Sequence, residues 1–224
     1  MQVQNEILSF REVAALSQKT GKTRLLLRHS MRRSLTEGLD PGLTPEGAAY
    51  AFSCGELLAG LEDPVVGASP RKRCFETAQN LIRGGSLPVK EEEIFLCPEV
   101  GDDSMFLSRE ELERTLKDSR CVKEVLETYY STGHAPGMKP LAEFAASLTS
   151  FLTGSSFHQK NVLLLTHDIV CVSLHLYWKT YPFRQEDWLG YIQGVFFHQS
   201  PEGVWSVSYV VPEPSLREKS TLFV

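Results

Sequence analysis

The chain has 224 residues, of which 42% are hydrophobic, 10% aromatic and 23% charged, which excludes a disordered, collagen-like or low-complexity chain. Lys and Arg number 23 against 28 for Asp and Glu, a formal charge of -5, so the basic footprint of a nucleic-acid binder is absent. No apolar run has the length of a membrane span, and residues 1 to 16 lack the basic and apolar regions of a secretory signal. The five cysteines, Cys54, Cys74, Cys97, Cys121 and Cys171, form no CxxC pair. They read as reduced, mostly buried thiols of a cytoplasmic protein.

In chain order, Ser9 to Ser17 reads as a short helix stopped by Gly21. Arg24-Leu-Leu-Leu-Arg28 is an apolar run of the kind that forms a buried parallel strand. Thr44 caps the next helix, with Pro45 in its first turn. Pro64 to Ala68 is a second strand, and Ser69-Pro70 opens a helix to about Ile82. Val89 to Leu96 is expected as a third strand. Residues 98 to 137 are charged and helical, with Ser108-Arg-Glu-Glu111 as a capping box. That stretch is long for a simple crossover and reads as a helical cap or insertion. Leu141 to Leu152 is an amphipathic helix, Asn161 to Thr166 a buried strand, and Ile169 to Lys179 the helix after it. Gly194 to His198 and Val204 to Val211 read as a terminal hairpin. The alternation predicts one domain over residues 1 to 224, a three-layer α/β/α sandwich on a mostly parallel sheet, with the cap at about 98 to 137.

Two segments rhyme: Leu-Leu-Leu-Arg28-His29 and Leu-Leu-Leu-Thr166-His167 each set a histidine just past an apolar strand. Ligands of open α/β sheets bind in the crevice outside the strand ends. Arg28, Arg32 and Arg33 surround the first histidine, and Arg71 and Arg73 follow the second strand. Guanidinium forks match the oxygens of a tetrahedral dianion.

At these residues the sequence resembles the histidine phosphatase superfamily, which includes the phosphoglycerate mutases and the histidine acid phosphatases. The family's Arg-His-Gly stands here as Arg28-His29-Ser30, and its Leu-Thr-x-x-Gly as Leu43-Thr44-Pro45-Glu46-Gly47. Its Ser-Pro-x-x-Arg with a following Thr-Ala is Ser69-Pro70-Arg71-Lys72-Arg73 with Thr77-Ala78, and its second histidine is His167. Arg32 and the pair His167-Asp168 match the acid phosphatase branch, whereas the short chain and the missing leader match the mutase branch. Ser30 departs from the usual Gly.

The resemblance implies a phosphomonoester hydrolase acting through a covalent phosphohistidine. A neutral imidazole is a competent nucleophile, so His29 attacks phosphorus. Arg28, Arg32, Arg73 and His167 hold the phosphoryl oxygens. Asp168 protonates the leaving oxygen, with Glu91, Glu92, Glu93 and Glu99 as the alternatives that the mutase branch suggests. Arg33 and Arg71 are weaker candidates, as surface or substrate-recognition groups. The expected ligands are a small phosphomonoester and inorganic phosphate, with no cofactor, metal, nucleic acid or membrane. Asp102, Asp103, Met105, Phe106, Tyr129 and Tyr130 are candidates for substrate contact.

Two other functions stay open: a pseudophosphatase that binds phosphorylated partners without turnover, supported by Ser30, and a phosphomutase. Other phosphatase chemistries fail on spacing. No cysteine precedes an arginine as Cys-x5-Arg requires, Asp102-Asp103 is not Asp-x-Asp, and Gly21-Lys22-Thr23 precedes a strand and lacks the first glycine of a P-loop. A metal role for His167-Asp168 would need further ligands, and His134, His158, His175 and His198 offer no such spacing.

Overall fold

The computed structural model describes residues 1–34, 36, 40–118, 122–180 and 188–213. Seven strands form one sheet: β1 (Gln2–Ser9), β2 (Thr23–Arg28), β3 (Pro64–Ala68), β4 (Phe95–Leu96), β5 (Asn161–Thr166), β6 (Gly194–Gln199) and β7 (Trp205–Val211), in the spatial order β1-β7-β6-β2-β5-β3-β4. The pairs β2/β5, β3/β5, β3/β4 and β1/β7 are parallel, and β6 is antiparallel to both β2 and β7. The helices are α1 (Phe10–Lys19), α2 (Pro45–Glu56), α3 (Lys72–Gly85), α4 (Arg109–Asp118), α5 (Val122–Thr132), α6 (Leu141–Thr153) and α7 (Asp168–Trp178).

Strand alternation separates two cores. Leu25, Leu27, Leu163 and Leu165 face a layer built from α1, α2 and α3. Leu26, Val162, Leu164 and Phe197 face the other, built from α4 to α7. Every residue of β2 and β5 is buried, as a central parallel strand covered on both faces requires. The expected three-layer sandwich is therefore present.

Helix starts follow local chemistry. Thr44 accepts from the Gly47 amide at 3.0 Å and caps α2, and Ser9 and Glu12 form a full capping box on α1. Ser108 accepts from the Glu111 amide at 3.2 Å before α4. Residues 98 to 137 hold two short 3-10 turns and then α4 and α5.

Two sequence expectations change. The strand expected over Val89 to Leu96 shrinks to Phe95–Leu96, preceded by a 3-10 turn at Glu91–Glu93. Glu91 is drawn back to α3 by Arg83 and Gln79, both at 2.6 Å, and three consecutive carboxylates leave no apolar face to bury. Conversely, β1 carries no strong sequence signal. It forms because its backbone pairs with β7, while Val3 and Met1 remain exposed.

Arg24 holds the far end of β2. Its side chain is fully buried, and its guanidinium donates to the carbonyls of Leu152, Thr23, Gln159, Lys160 and Phe157 at 2.8 to 3.3 Å. The rings of Phe157 and Trp205 lie 5.4 and 5.7 Å from it. Burial lowers its pKa to about 10, which leaves it charged at neutral pH. Arg24 thus ties the α6–β5 connection to the sheet. Arg24→Met should cost about 2–4 kcal/mol, because several buried carbonyls lose their donor. Urea unfolding measures the loss, and the KM of the folded variant should be unchanged.

Candidate active site

Register brings the two histidines together. Arg28 lies opposite Thr166 in the parallel β2/β5 pair, so the next residues, His29 and His167, leave the sheet side by side. Their ring centroids are 5.5 Å apart at 69°, and both side chains are buried.

Hydrogen bonds assign each tautomer. His29 Nδ1 lies 2.6 Å from the Ser30 carbonyl, an acceptor, so Nδ1 carries the proton and Nε2 keeps a free lone pair. Arg73 Nη2, which can only donate, lies 3.1 Å from His167 Nδ1. His167 therefore carries its proton on Nε2 and donates to Ser69 Oγ at 2.8 Å. Burial is the main cause that lowers both histidine pKa values. For His29 it is joined by His167, Arg28 and Arg73, and the pKa falls well below the ordinary value. For His167 burial and Arg73 outweigh Asp102 and Asp168, and the pKa falls to about 4. Both rings are neutral at pH 7.

Two arginines flank the pair. Arg28 Nη2 bonds Asp168 Oδ2 at 3.1 Å, Nη1 donates to the Leu189 carbonyl, and the guanidinium lies 4.3 Å from the Tyr191 ring centre. Arg73 lies 3.5 Å from Asp40 and 3.6 Å from Asp102. The Nε–H groups of Arg28 and Arg73 are both buried and find no acceptor among the described residues. A buried donor left without a partner costs about 1–3 kcal/mol, more on a charged group. Arg32 is half-buried and donates to the Arg33 carbonyl at 2.9 Å. Burial and the like charge of Arg73 lower its pKa, against Tyr191 and Asp168, with Arg28 also lowering it, so it faces the same cluster from the rim. Arg33 turns to the Leu43 carbonyl, and Arg71 pairs with Asp102 and Asp103, both at 3.1 Å.

Asp168 begins α7 and accepts at Oδ1 from the Ile169 amide at 2.9 Å and at Oδ2 from Trp188 at 3.0 Å. Burial pushes its pKa up, but Arg28, Trp188, His29 and the Ile169 amide hold it well below the carboxylate range. The glutamates stand apart. Glu91 binds α3, Glu93 accepts from the Lys90 amide, Glu92 is exposed and Glu99 lies against Cys97.

Asp102, expected from sequence only as a substrate contact, lies beside the second histidine. Its Oδ1 is 3.9 Å from His167 Nε2, and it lines an open cleft of about 100 Å³ with Ser69, Pro70, Arg71, Pro98, Gly101 and Asp103. Thr166 Oγ1 donates to the Val100 carbonyl and so ties this segment to the end of β5. Among the substrate-contact candidates, Met105 and Tyr129 are fully buried core residues instead. Cys54, Cys74, Cys97 and Cys171 are buried free thiols, and Cys121 lies outside the described residues. Among the described residues no three His, Cys, Asp or Glu side chains are grouped to hold a metal ion, and no helix is long and apolar enough to cross a membrane.

Ser30 fits where the family has glycine. It is not among the residues with positive φ, its amide donates to Thr77 Oγ1 at 3.0 Å, and its hydroxyl donates to the Gly47 carbonyl at 2.7 Å. The Thr and Gly of the neighbouring motifs thus support the loop that carries His29.

The sequence profile of the histidine phosphatase superfamily (branch 1) matches residues 24–191. The chain belongs to this superfamily. The fold agrees with that of solved structures at low identity. A mycobacterial glucosyl-3-phosphoglycerate phosphatase superposes with a TM-score of 0.55 at 16% identity, covering 85% of this chain and 98% of its own. A phosphoglycerate mutase from Bacillus anthracis gives 0.56 at 17%, covering 89% and 96%. A phosphoserine phosphatase mutant from Entamoeba histolytica, solved with phosphoserine, gives 0.51 at 15%, covering 84% and 96%. A search of curated proteins gives no match.

Gly47 supplies a test of loop support. A Cβ there would lie 2.1 Å from the Met31 carbonyl oxygen, so Gly47→Ala must push the 28–33 loop away from α2. The expected result is a folded protein with at least tenfold weaker phosphate binding by calorimetry; unchanged binding would show that the loop does not depend on this contact.

Proposed function

We propose that this histidine phosphatase superfamily member hydrolyses small phosphomonoesters through a phosphohistidine at His29. The observation that carries the reading is the pair of neutral imidazoles between two arginines whose buried Nε–H groups lack an acceptor among the described residues. A phosphoryl group supplies such acceptors and the charge to match. The similar structures are named as phosphatases and a mutase, which supports phosphatase or mutase activity. Hydrolysis is the reading we favour, because Asp102, beside His167, lines an open cleft from which it can take a proton from water.

His29 Nε2 attacks phosphorus with its lone pair while the ester P–O bond breaks. Arg28, Arg32 and Arg73 hold the equatorial oxygens, where the transferring group's charge resides, and the His167 Nε2–H joins them by turning from Ser69 Oγ. In the second step water attacks the phosphohistidine, the N–P bond breaks, and phosphate leaves.

Two carboxylates can serve as proton donor. Asp168, the expectation from sequence, is bound by Arg28, Trp188 and a backbone amide, an arrangement suited to orienting Arg28. Asp102 lies on the open cleft beside His167 Nε2. We assign it the proton, given to the leaving oxygen and then taken from water. Burial raises its pKa, but His167, Arg71 and Arg73 hold it below the ordinary value in the free protein, and the bound dianion opposes the ionised form and shifts it back toward protonation. We read residues 98 to 137, which contain Asp102, as the cap of the expected single domain.

Rapid quenching with labelled substrate should trap an acid-labile phosphoenzyme on His29, and His29→Ala should lower kcat by roughly a thousandfold or more. Label on another residue, or full turnover by the variant, refutes the mechanism.

The proton assignment is tested by leaving group. Asp102→Asn should slow alkyl phosphate hydrolysis about 100-fold more than p-nitrophenyl phosphate hydrolysis, whose leaving group needs little protonation. Asp168→Asn should raise KM for both alike. The selective defect in Asp168→Asn alone would return the role to Asp168.

The pH profile follows from His29. A histidine of ordinary pKa is mostly protonated at pH 6, and kcat/KM would fall roughly threefold from pH 7. Because burial keeps His29 neutral to lower pH, kcat/KM should stay within twofold between pH 7 and pH 6.

A further inference from the structure

Residues 188 to 193 wrap around Arg28. The Leu189 carbonyl accepts from its Nη1, the Tyr191 ring covers its guanidinium, and Trp188 binds Asp168, the carboxylate on its Nη2. The backbone is joined in both directions: Arg28 N donates to the Gln193 carbonyl at 2.9 Å, and Ile192 N donates to the Arg28 carbonyl at 3.2 Å. Within this turn Ile192, fully buried and β-branched, has φ +57°. Such a residue avoids the left-handed region unless its surroundings over-determine it.

What over-determines it is one carboxamide. Gln193 Oε1 accepts from the Gly190 amide at 2.9 Å and from the Tyr209 hydroxyl of β7 at 2.5 Å. The first bond closes the turn over residues 190–193, and the second anchors it to the sheet. Gly190 leaves room for the carboxamide, since a Cβ there would lie 2.7 Å from Gln193 Cδ and Nε2. Gly190 is not among the residues with positive φ, so its lack of a side chain serves space.

We propose that Gln193, held by Tyr209, is the positioning residue that fixes the Arg28 guanidinium for phosphate binding. They act on Arg28 through the Leu189 carbonyl and the Tyr191 ring. A closed turn presents both at one height, so the guanidinium has one orientation before the anion arrives and loses less freedom on binding. This rests on the reading of Arg28 as a phosphate ligand.

Calorimetric titration with inorganic phosphate and kinetics with p-nitrophenyl phosphate test it in Tyr209→Phe and Gly190→Ala, each made also in an Arg28→Lys background. Tyr209→Phe removes the hydrogen bond to Gln193 Oε1, and Gly190→Ala displaces the carboxamide directly. Each single variant should weaken phosphate binding and raise KM about fivefold, the size of one lost hydrogen bond, with kcat within twofold. In the Arg28→Lys background the same changes should have less than a twofold effect, because the group they position is gone. Thermal melts confirm folding, and either variant suffices. Unchanged Kd and KM in a folded variant overturn the proposal, as does an equal loss in the Arg28→Lys background. If Arg28→Lys binds phosphate as tightly as the unaltered protein, the reading of Arg28 fails first, and the positioning role falls with it.

Discussion

The in-register parallel pairing of β2 with β5 is the constraint on which the site depends. Because Arg28 and Thr166 are partners, the histidines that follow them leave adjacent strands at the same height. A slip of one residue would send one imidazole to the opposite face of the sheet. The register is fixed from both sides, since Leu25 and Leu27 must meet the α1–α3 layer while Leu26 meets the α4–α7 layer. Burying two leucine faces therefore also aligns the candidate nucleophile with its neighbour, with no contact between the rings needed to arrange it.

Beyond the strand ends, the backbone needs its own supports. The 28–33 loop is held by Thr77, which accepts from the Ser30 amide and donates to the Arg73 carbonyl, and by Thr44, whose amide donates to the Met31 carbonyl. The motif residues outside the histidine–arginine cluster thus join the His29 loop, α2 and α3 into one hydrogen-bonded unit. In that unit Ser30 is no defect. Its backbone needs no glycine, and its hydroxyl finds an acceptor on α2, so the departure from the family pattern gives little support to a protein that has lost turnover.

The legible part of the sequence is the part governed by local pattern. Short apolar runs of leucine and valine identify β2, β3 and β5, and the residues after them identify His29, Arg73 and His167. Legibility ends where partners come from distant segments. Arg24 and Arg28 end the same apolar run, yet one ties down a loop through backbone carbonyls and the other flanks the histidines. Only the histidine that follows Arg28 separates them in the local sequence. Asp102 is one of several acidic residues between 91 and 103, and its distinction is the Val100–Thr166 tie that sets it beside His167. Gln193 looks like a linker residue, because its partner Tyr209 is on another strand.

Electrostatics then connects folding to binding. A guanidinium taken out of water without a counter-charge costs several kcal/mol, so the empty site cannot hold Arg28 and Arg73 bare. Asp168 neutralises the first, and Asp40 and Asp102 the second. On the proposed function these same carboxylates oppose an incoming dianion, so net attraction has to come from geometry more than from excess charge. The Nε–H groups that no carboxylate satisfies supply that geometry, since an anion that reaches them forms bonds the empty protein lacks. An orientation error in either guanidinium would forfeit those bonds while leaving the repulsion in place. That asymmetry explains why so many contacts, from Leu189 and Tyr191 on one side and His167 on the other, are spent on holding two side chains still.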